Sequence, residues 1–134
     1  MNLFSILEDG ATRWPEDIAV VHDGRSFRYS DLHDAAQSLA LKLDEAGIEA
    51  GDKVGVMLPN SLEYVVAFFA VMRAGGIVVS ISPALKSSEV GTLAVETALD
   101  AFCFSAHFSS LIPEGNERTL TEASISAGRR PLCI

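Results

Sequence analysis

The residues whose types suit chemistry sit where apolar runs end: Asn60 and Ser61 after Lys53–Leu58, Ser82 after Ile77–Ile81, and Ser105 and His107 after Ala101–Phe104. In an open α/β sheet, ligands bind beyond the carboxyl ends of the strands, so these positions define the candidate edge. An amide, hydroxyls and an imidazole placed there can hydrogen-bond a ligand or move a proton. The same residue types also cap helices and build turns. Asn60 fits an N-cap, with Glu63 three positions on to complete a capping box, and Ser82 before Pro83 fits a turn. On that balance no residue is assigned a catalytic, cofactor-binding or metal-binding role.

The remaining reactive side chains are isolated. His22 beside Asp23-Gly24 and His33 at the start of a helical stretch have no triad spacing to a carboxylate or thiol, so both are expected to be solvated or locally bonded. Cys103 and Cys133 show neither Cys-x-x-Cys spacing nor a His partner, which suits core thiols in a reducing compartment better than a disulfide or metal pair. No Gly-x-x-x-x-Gly-Lys, Gly-x-Gly-x-x-Gly, Gly-x-Ser-x-Gly or His-Glu-x-x-His occurs. The glycine pair Gly75-Gly76 follows a helical stretch and precedes a strand, the reverse of a phosphate loop, and is expected to be a helix C-cap and tight turn.

The elements that must position these residues follow from periodicity. Leu3, Phe4, Ile6 and Leu7 predict a short amphipathic helix running toward Trp14 and stopped by Pro15. Ala19–His22 and Ser26–Tyr29 flank Asp23-Gly24 as a hairpin. Ser30 is the expected N-cap of a helix carrying Leu32, Ala36, Leu39, Leu43 and Ala46 on one face and ending at Gly47. Lys53–Leu58 is a strand ended by Pro59, and the apolar stretch from Leu62 to Met72 is a helix covered on more than one side. Ile77–Ile81 has the uninterrupted β-branched pattern of a strand buried on both faces. A helix from Ser87 to about Leu99 and a strand at Ala101–Phe104 follow, then a helix near Leu120–Ser126 and the start of a strand at Leu132–Ile134. Strands alternating with helices predict a parallel α/β sheet with right-handed crossovers, beside a small β-hairpin.

Composition narrows the partners. A chain of 134 residues with 49% hydrophobic and 21% charged residues can bury a core as one domain. Its net charge of −8, with basic residues scattered among acids, argues against a nucleic-acid partner or an anionic membrane surface. The apolar run from Tyr64 to Ile81 is split by Arg73 and Gly75-Gly76 into a helix and a strand, so no membrane span is expected. Met1–Asp9 lacks a basic n-region, and its apolar cluster is broken by acids, so no signal peptide and a cytoplasmic location are expected.

One ordered series of short motifs remains: Phe27-Arg28-Tyr29-Ser30-Asp31-Leu32, Gly47-Ile48, Gly51-Asp52-Lys53-Val54, Leu58-Pro59-Asn60-Ser61, Ala74-Gly75-Gly76, Ser82-Pro83 and Glu89. It resembles the opening of the adenylate-forming enzymes, the superfamily of acyl- and aryl-CoA synthetases, luciferases and peptide-synthetase adenylation domains. The resemblance fades beyond Phe104, and Ser82 stands where the family often has Asn. It implies that residues 1–134 are an N-terminal subdomain fragment of an AMP-binding, acyl-CoA synthetase-like domain, with the Ser/Thr/Gly-rich ATP loop and the C-terminal lid beyond Ile134. The parent activity it implies is an ATP- and CoA-dependent carboxylic acid ligase. In such enzymes a carboxylate attacks the α-phosphate of ATP, with Mg²⁺ in attendance, and CoA then displaces AMP.

ATP, Mg²⁺ and CoA are therefore expected of the full-length parent and not of this fragment, which should be inactive alone. An acyl chain is the mildly preferred acid, on resemblance only. Expected partners are the remainder of the catalytic domain and, through an exposed sheet edge, a second copy of the chain. The alternative is a non-enzymatic α/β binding or interaction module derived from the same fold. A flavodoxin-like or receiver-like regulator comes third, because the acidic cluster and lysine of a receiver are missing from the strand ends and Asp52 precedes its strand.

Overall fold

In a strand, side chains alternate between faces, so a central parallel strand needs apolar residues at every position. The Val54-Gly55-Val56-Met57 sequence satisfies that requirement, and all four residues are buried. The computed structural model describes residues 2–104 and a strand at 119–121. Its elements are α1 (Phe4–Arg13), β1 (Ile18–His22), β2 (Arg25–Arg28), α2 (Tyr29–Glu45), β3 (Lys53–Met57), α3 (Leu62–Arg73), β4 (Ile77–Ser80), α4 (Ser87–Thr97), β5 (Ala101–Phe104) and β6 (Thr119–Thr121). The main sheet is four-stranded in the order β4-β3-β5-β6, and every neighbouring pair is parallel. β1 and β2 form a separate antiparallel ribbon. The expected parallel α/β architecture with a hairpin is thus the observed one. No helix among the described residues is long and apolar enough to cross a membrane.

Helices cover both faces of the sheet. Val54, Val56, Ala101 and Cys103 pack with residues of α1, α2 and α3 in one core. Met57, Phe102 and Phe104 turn to the opposite face, where Val90 and Leu93 of α4 meet them with Ile81. The hairpin joins the first core through Val20 and Phe27. Its turn residues, Asp23 at φ 48° and Gly24 at φ 73°, both occupy the left-handed region that a two-residue turn of this kind requires.

Four local expectations are corrected. The strand expected to be buried on both faces at Ile77–Ile81 is instead the sheet edge: β4 ends at Ser80, and Ile77 is 48% exposed. An unbroken β-branched run records apolarity, and it is the strand order that put β3 and β5 at the two-sided positions. The α2 N-cap is Arg28 rather than Ser30, with the Asp31 carboxylate accepting the Arg28 N–H at 3.2 Å. Ser30 lies inside the first turn and donates its hydroxyl to the Pro15 carbonyl at 2.8 Å. The α3 N-cap is Ser61 rather than Asn60, as described below. Finally, Leu120, expected in a helix, lies in β6 paired with Cys103. The expected strand at Leu132–Ile134 falls outside the described residues.

The helix-to-strand turn at Gly75-Gly76 is sterically determined. Gly75 has φ 82°, and a Cβ there would lie 3.3 Å from the Cα and Cβ of Ala50. Its carbonyl accepts the Gly51 N–H at 2.9 Å, which ties the turn to the entrance of β3. α4 ends on a different residue in the same left-handed region, Ala98 at φ 51°. We predict that Gly75→Val lowers unfolding free energy by about 1–3 kcal/mol, because a β-branched residue is strongly disfavoured at positive φ. Ala98→Gly should raise it by about 0.5–1 kcal/mol by relieving the left-handed strain. Urea melts of both variants check these signs, and an unchanged midpoint for Gly75→Val would refute the steric account.

Candidate functional site

The local chemistry at the end of β3 begins with Pro59, which cannot donate a ladder hydrogen bond and so releases the chain from the sheet. Ser61 follows in extended conformation, φ −159° and ψ 172°. Its Oγ accepts the Tyr64 N–H at 3.2 Å and donates to the Pro59 carbonyl at 2.8 Å. One hydroxyl therefore caps α3 and fixes the bend, which leaves Asn60 exposed and without the capping role expected of it. Because the helix starts one residue later than expected, Glu63 stands at its second position, not its third. It does not reach back as in a capping box.

This displaced loop faces the hairpin turn across a cleft of about 350 Å³, lined by His22 and Asp23 on one side and by residues 58–61 and Glu63 on the other. Two side-chain atoms in its wall, His22 Nδ1 and Glu63 Oε2, are buried and have no hydrogen-bond partner. His22 Nε2 lies 3.7 Å from Asp23 Oδ2. Asn60 and Ser61, two of the strand-end candidates, thus line a real concavity. The third, Ser82, makes a local turn instead, its Oγ accepting the Ala84 N–H at 3.3 Å. Ser105 and His107 lie outside the described residues. His33 is locally engaged, as expected, with Nδ1 3.4 Å from Asp34 Oδ1 and its ring 5.6 Å from that of Phe4.

Sequence reasoning missed Glu63, which it treated as a cap, and the meeting of His22 with the β3–α3 loop. No local signal joins the hairpin turn to the β3–α3 loop; only their packing does.

The lining does not suit a nucleoside triphosphate. It contains two carboxylates and no Lys or Arg, and Ser61 already holds one of the N–H groups that a phosphate would need at the start of α3. No group of three or more His, Cys, Asp or Glu side chains able to hold a metal occurs among the described residues. Cys103 faces the core, and burial pushes its thiol up to about 12, so it cannot serve as a nucleophile at neutral pH.

Comparison with known proteins places this geometry in context. The sequence matches the AMP-binding enzyme family over residues 7–127. The chain belongs to that family. It is 38% identical over 103 residues to the salicyl-AMP ligase / salicyl-S-ArCP synthetase of Mycobacterium tuberculosis, covering 72% of this chain and 18% of that protein. It is 39% identical over 88 residues to a long-chain-fatty-acid–CoA ligase of Bacillus subtilis, covering 66% of this chain and 16% of that one. The fold aligns with a Mycobacterium tuberculosis fatty acyl CoA synthetase at a TM-score of 0.84 and 24% identity, over 92% of this chain and 27% of the other. The chain therefore spans less than a fifth of the length of these two curated relatives.

For this family member the Cys103 environment has a measurable consequence. A thiol whose folded value lies above its unfolded value binds its proton more tightly in the native state, so its contribution is complete below the unfolded value and is lost as pH rises toward the folded one. We predict that stability falls between pH 9 and about 12, and that Cys103→Ala flattens this part of the profile. Iodoacetamide at pH 8 should leave Cys103 unmodified in the native chain and modify it in urea, as read by peptide mass spectrometry. Rapid native alkylation of Cys103 would contradict the burial.

Proposed function

We propose that this chain is the N-terminal part of a ligase that activates a carboxylic acid as its acyl-adenylate and passes the acyl group to a thiol. Membership of the AMP-binding enzyme family over residues 7–127 is the observation that carries this reading. Of the two acceptors named among the relatives, ArCP and CoA, we favour CoA, the acceptor of the relative that is 39% identical. An acyl chain is the preferred acid on the same footing. ATP and Mg²⁺ belong to the complete enzyme, and the carboxylate-lined cleft derives no step with them.

This reading divides labour along the polypeptide. Positioning of a transferred phosphoryl group needs preorganised donors and cations, and loss of even one such donor commonly costs about 10²-fold or more in rate. The chain of 134 residues alone should therefore show no carboxylate-dependent exchange of pyrophosphate into ATP. A longer polypeptide that includes it should show that exchange with a panel of fatty and aromatic acids, and should release AMP when CoA is added. Exchange catalysed by residues 1–134 alone would overturn the division, and a longer polypeptide that binds acids without consuming ATP would overturn the ligase reading itself.

A further inference from the structure

Asp23-Gly24 joins β1 to β2, and the shape of that turn leaves its own backbone open to reaction. In an Asp-Gly pair the Gly nitrogen can attack the Asp carboxyl carbon and close a five-membered ring, because Gly has no Cβ to crowd the approach. A folded chain allows this where the carboxylate is free to turn, the Gly N–H is unengaged and the space around the Gly is open. The Asp23 side chain is 82% exposed, and His22 Nε2, at 3.7 Å from its Oδ2, stands beyond hydrogen-bond distance. Gly24 lies past the last ladder pair, His22 with Arg25, and a Cβ built on it would meet nothing within 4 Å. Asp23 is also held at φ 48°, a left-handed conformation that disfavours any residue with a Cβ.

A second Asp-Gly pair, Asp9-Gly10, supplies the contrast. It lies inside α1, where the Gly10 N–H is engaged in the i→i−4 ladder. Gly10 is buried, and a Cβ there would lie 2.7 Å from Tyr29 Cδ1. Asp9 Oδ1 accepts the Arg13 Nε hydrogen at 2.7 Å, which turns the carboxylate along the helix and away from the Gly10 nitrogen. This pair reacts only from a locally opened helix, so its rate is reduced by the small population of that open form.

We propose that Asp23-Gly24 is a site of spontaneous backbone isomerisation through a succinimide, and that the fold favours this turn over Asp9-Gly10. The Gly24 nitrogen bonds to Asp23 Cγ, and its proton leaves with a carboxyl oxygen as water. Water then adds to either ring carbonyl. Opening at Cγ restores Asp, whereas opening at the main-chain carbonyl routes the backbone through Cβ and Cγ and gives isoaspartate. Nothing is oxidised or reduced, and the net composition is unchanged. The product has one more backbone atom in the turn, so the two-residue connection beside the His22–Arg25 pair is lost and the hairpin wall of the cleft changes shape. This site does not rest on the ligase reading.

The test incubates the chain at neutral pH in heavy-oxygen water, folded in one sample and unfolded in guanidinium chloride in another. Peptide mass spectrometry reads label and isoaspartate at each pair. Every ring opening adds one heavy oxygen, so cycles that return to Asp are counted too. In the folded chain, label should enter at Asp23 at least about tenfold faster than at Asp9, the factor by which helix opening limits the second pair. In the unfolded chain the two pairs should react alike. Asp23→Asn suits a left-handed turn position and forms the same ring by losing ammonia, so this variant keeps the hairpin and should gain label at position 23 faster than the parent chain. Equal rates at the two pairs in the folded chain, label at Asp23 only after unfolding, or no label at either pair in either state would overturn the proposal.

Discussion

The two-sided burial of β3 is the constraint on which the rest of the chain depends. Lys53–Met57 is the strand that pairs with β4 on one side and β5 on the other, and its residues feed both cores. Its register is fixed at the amino end by a small lattice of hydrogen bonds. The Lys53 N–H donates to Asp100 Oδ2 at 2.8 Å, the Lys53 carbonyl accepts the Asp100 N–H at 2.8 Å, and the Asp52 carbonyl accepts the Ile77 N–H at 2.7 Å. A slip by one residue would exchange the valines facing α2 and α3 with Gly55 and Met57, which face α4. At Gly55 a Cβ would lie 2.8 Å from Ile81 Cδ1 and 3.0 Å from Leu99 Cδ1, so the ends of those two side chains pack directly over the strand.

The cleft is a by-product of the same constraint. With β3 locked, Pro59 must leave the sheet at one place, and the single hydroxyl of Ser61 sets the start of α3. The hairpin is held separately, through Val20 and Phe27 against the first core and through the Tyr29 N–H, which donates to the Asp17 carbonyl at 3.0 Å. Two separately anchored segments then meet across the cleft, which His22 and Glu63 both line. A carboxylate in the first turn of α3 is favourable toward the helix dipole, so Glu63 is tolerable there although its Oε2 has no hydrogen-bond partner.

Much of the fold was legible because its signals are local. Asp23-Gly24, the β5 sequence Ala101–Phe104 and the Gly47 terminus of α2 each depend on a few adjacent residues. At Gly47 the φ of 83°, with its N–H on the Asp44 carbonyl and that of Ile48 on the Leu43 carbonyl, is what a helix C-terminal glycine does. The edge position of β4 was illegible because Ile77–Ser80 is as β-branched as a central strand, and strand order is a tertiary property. The caps were misplaced by one or two residues because Asn60 and Ser61, like Arg28 and Ser30, compete for one role on backbone geometry that residue type does not reveal. The site was legible as an edge, through Asn60 and Ser61, but its other wall came from a hairpin some forty residues earlier in the chain.

The sheet is also unequally covered, which bears on how its parts hold together. Among the described residues, three helices, α1, α2 and α3, close the face of Val54 and Val56, whereas α4 serves the face of Phe102 and Phe104. In α4 only Val90 is fully buried, and Val95 is 82% exposed. Apolar burial therefore contributes less to holding α4 than to holding α3, in proportion to the area removed from water. Hydrogen bonds at its ends make up part of the difference. The Glu89 carboxylate accepts the Lys86 N–H at 2.7 Å, and Lys53 Nζ donates to the Thr97 carbonyl at 2.9 Å, a cation at the negative end of the helix dipole. Lys53 thus ties α4 to the strand that organises both cores, so the most lightly packed helix is anchored by the most constrained strand.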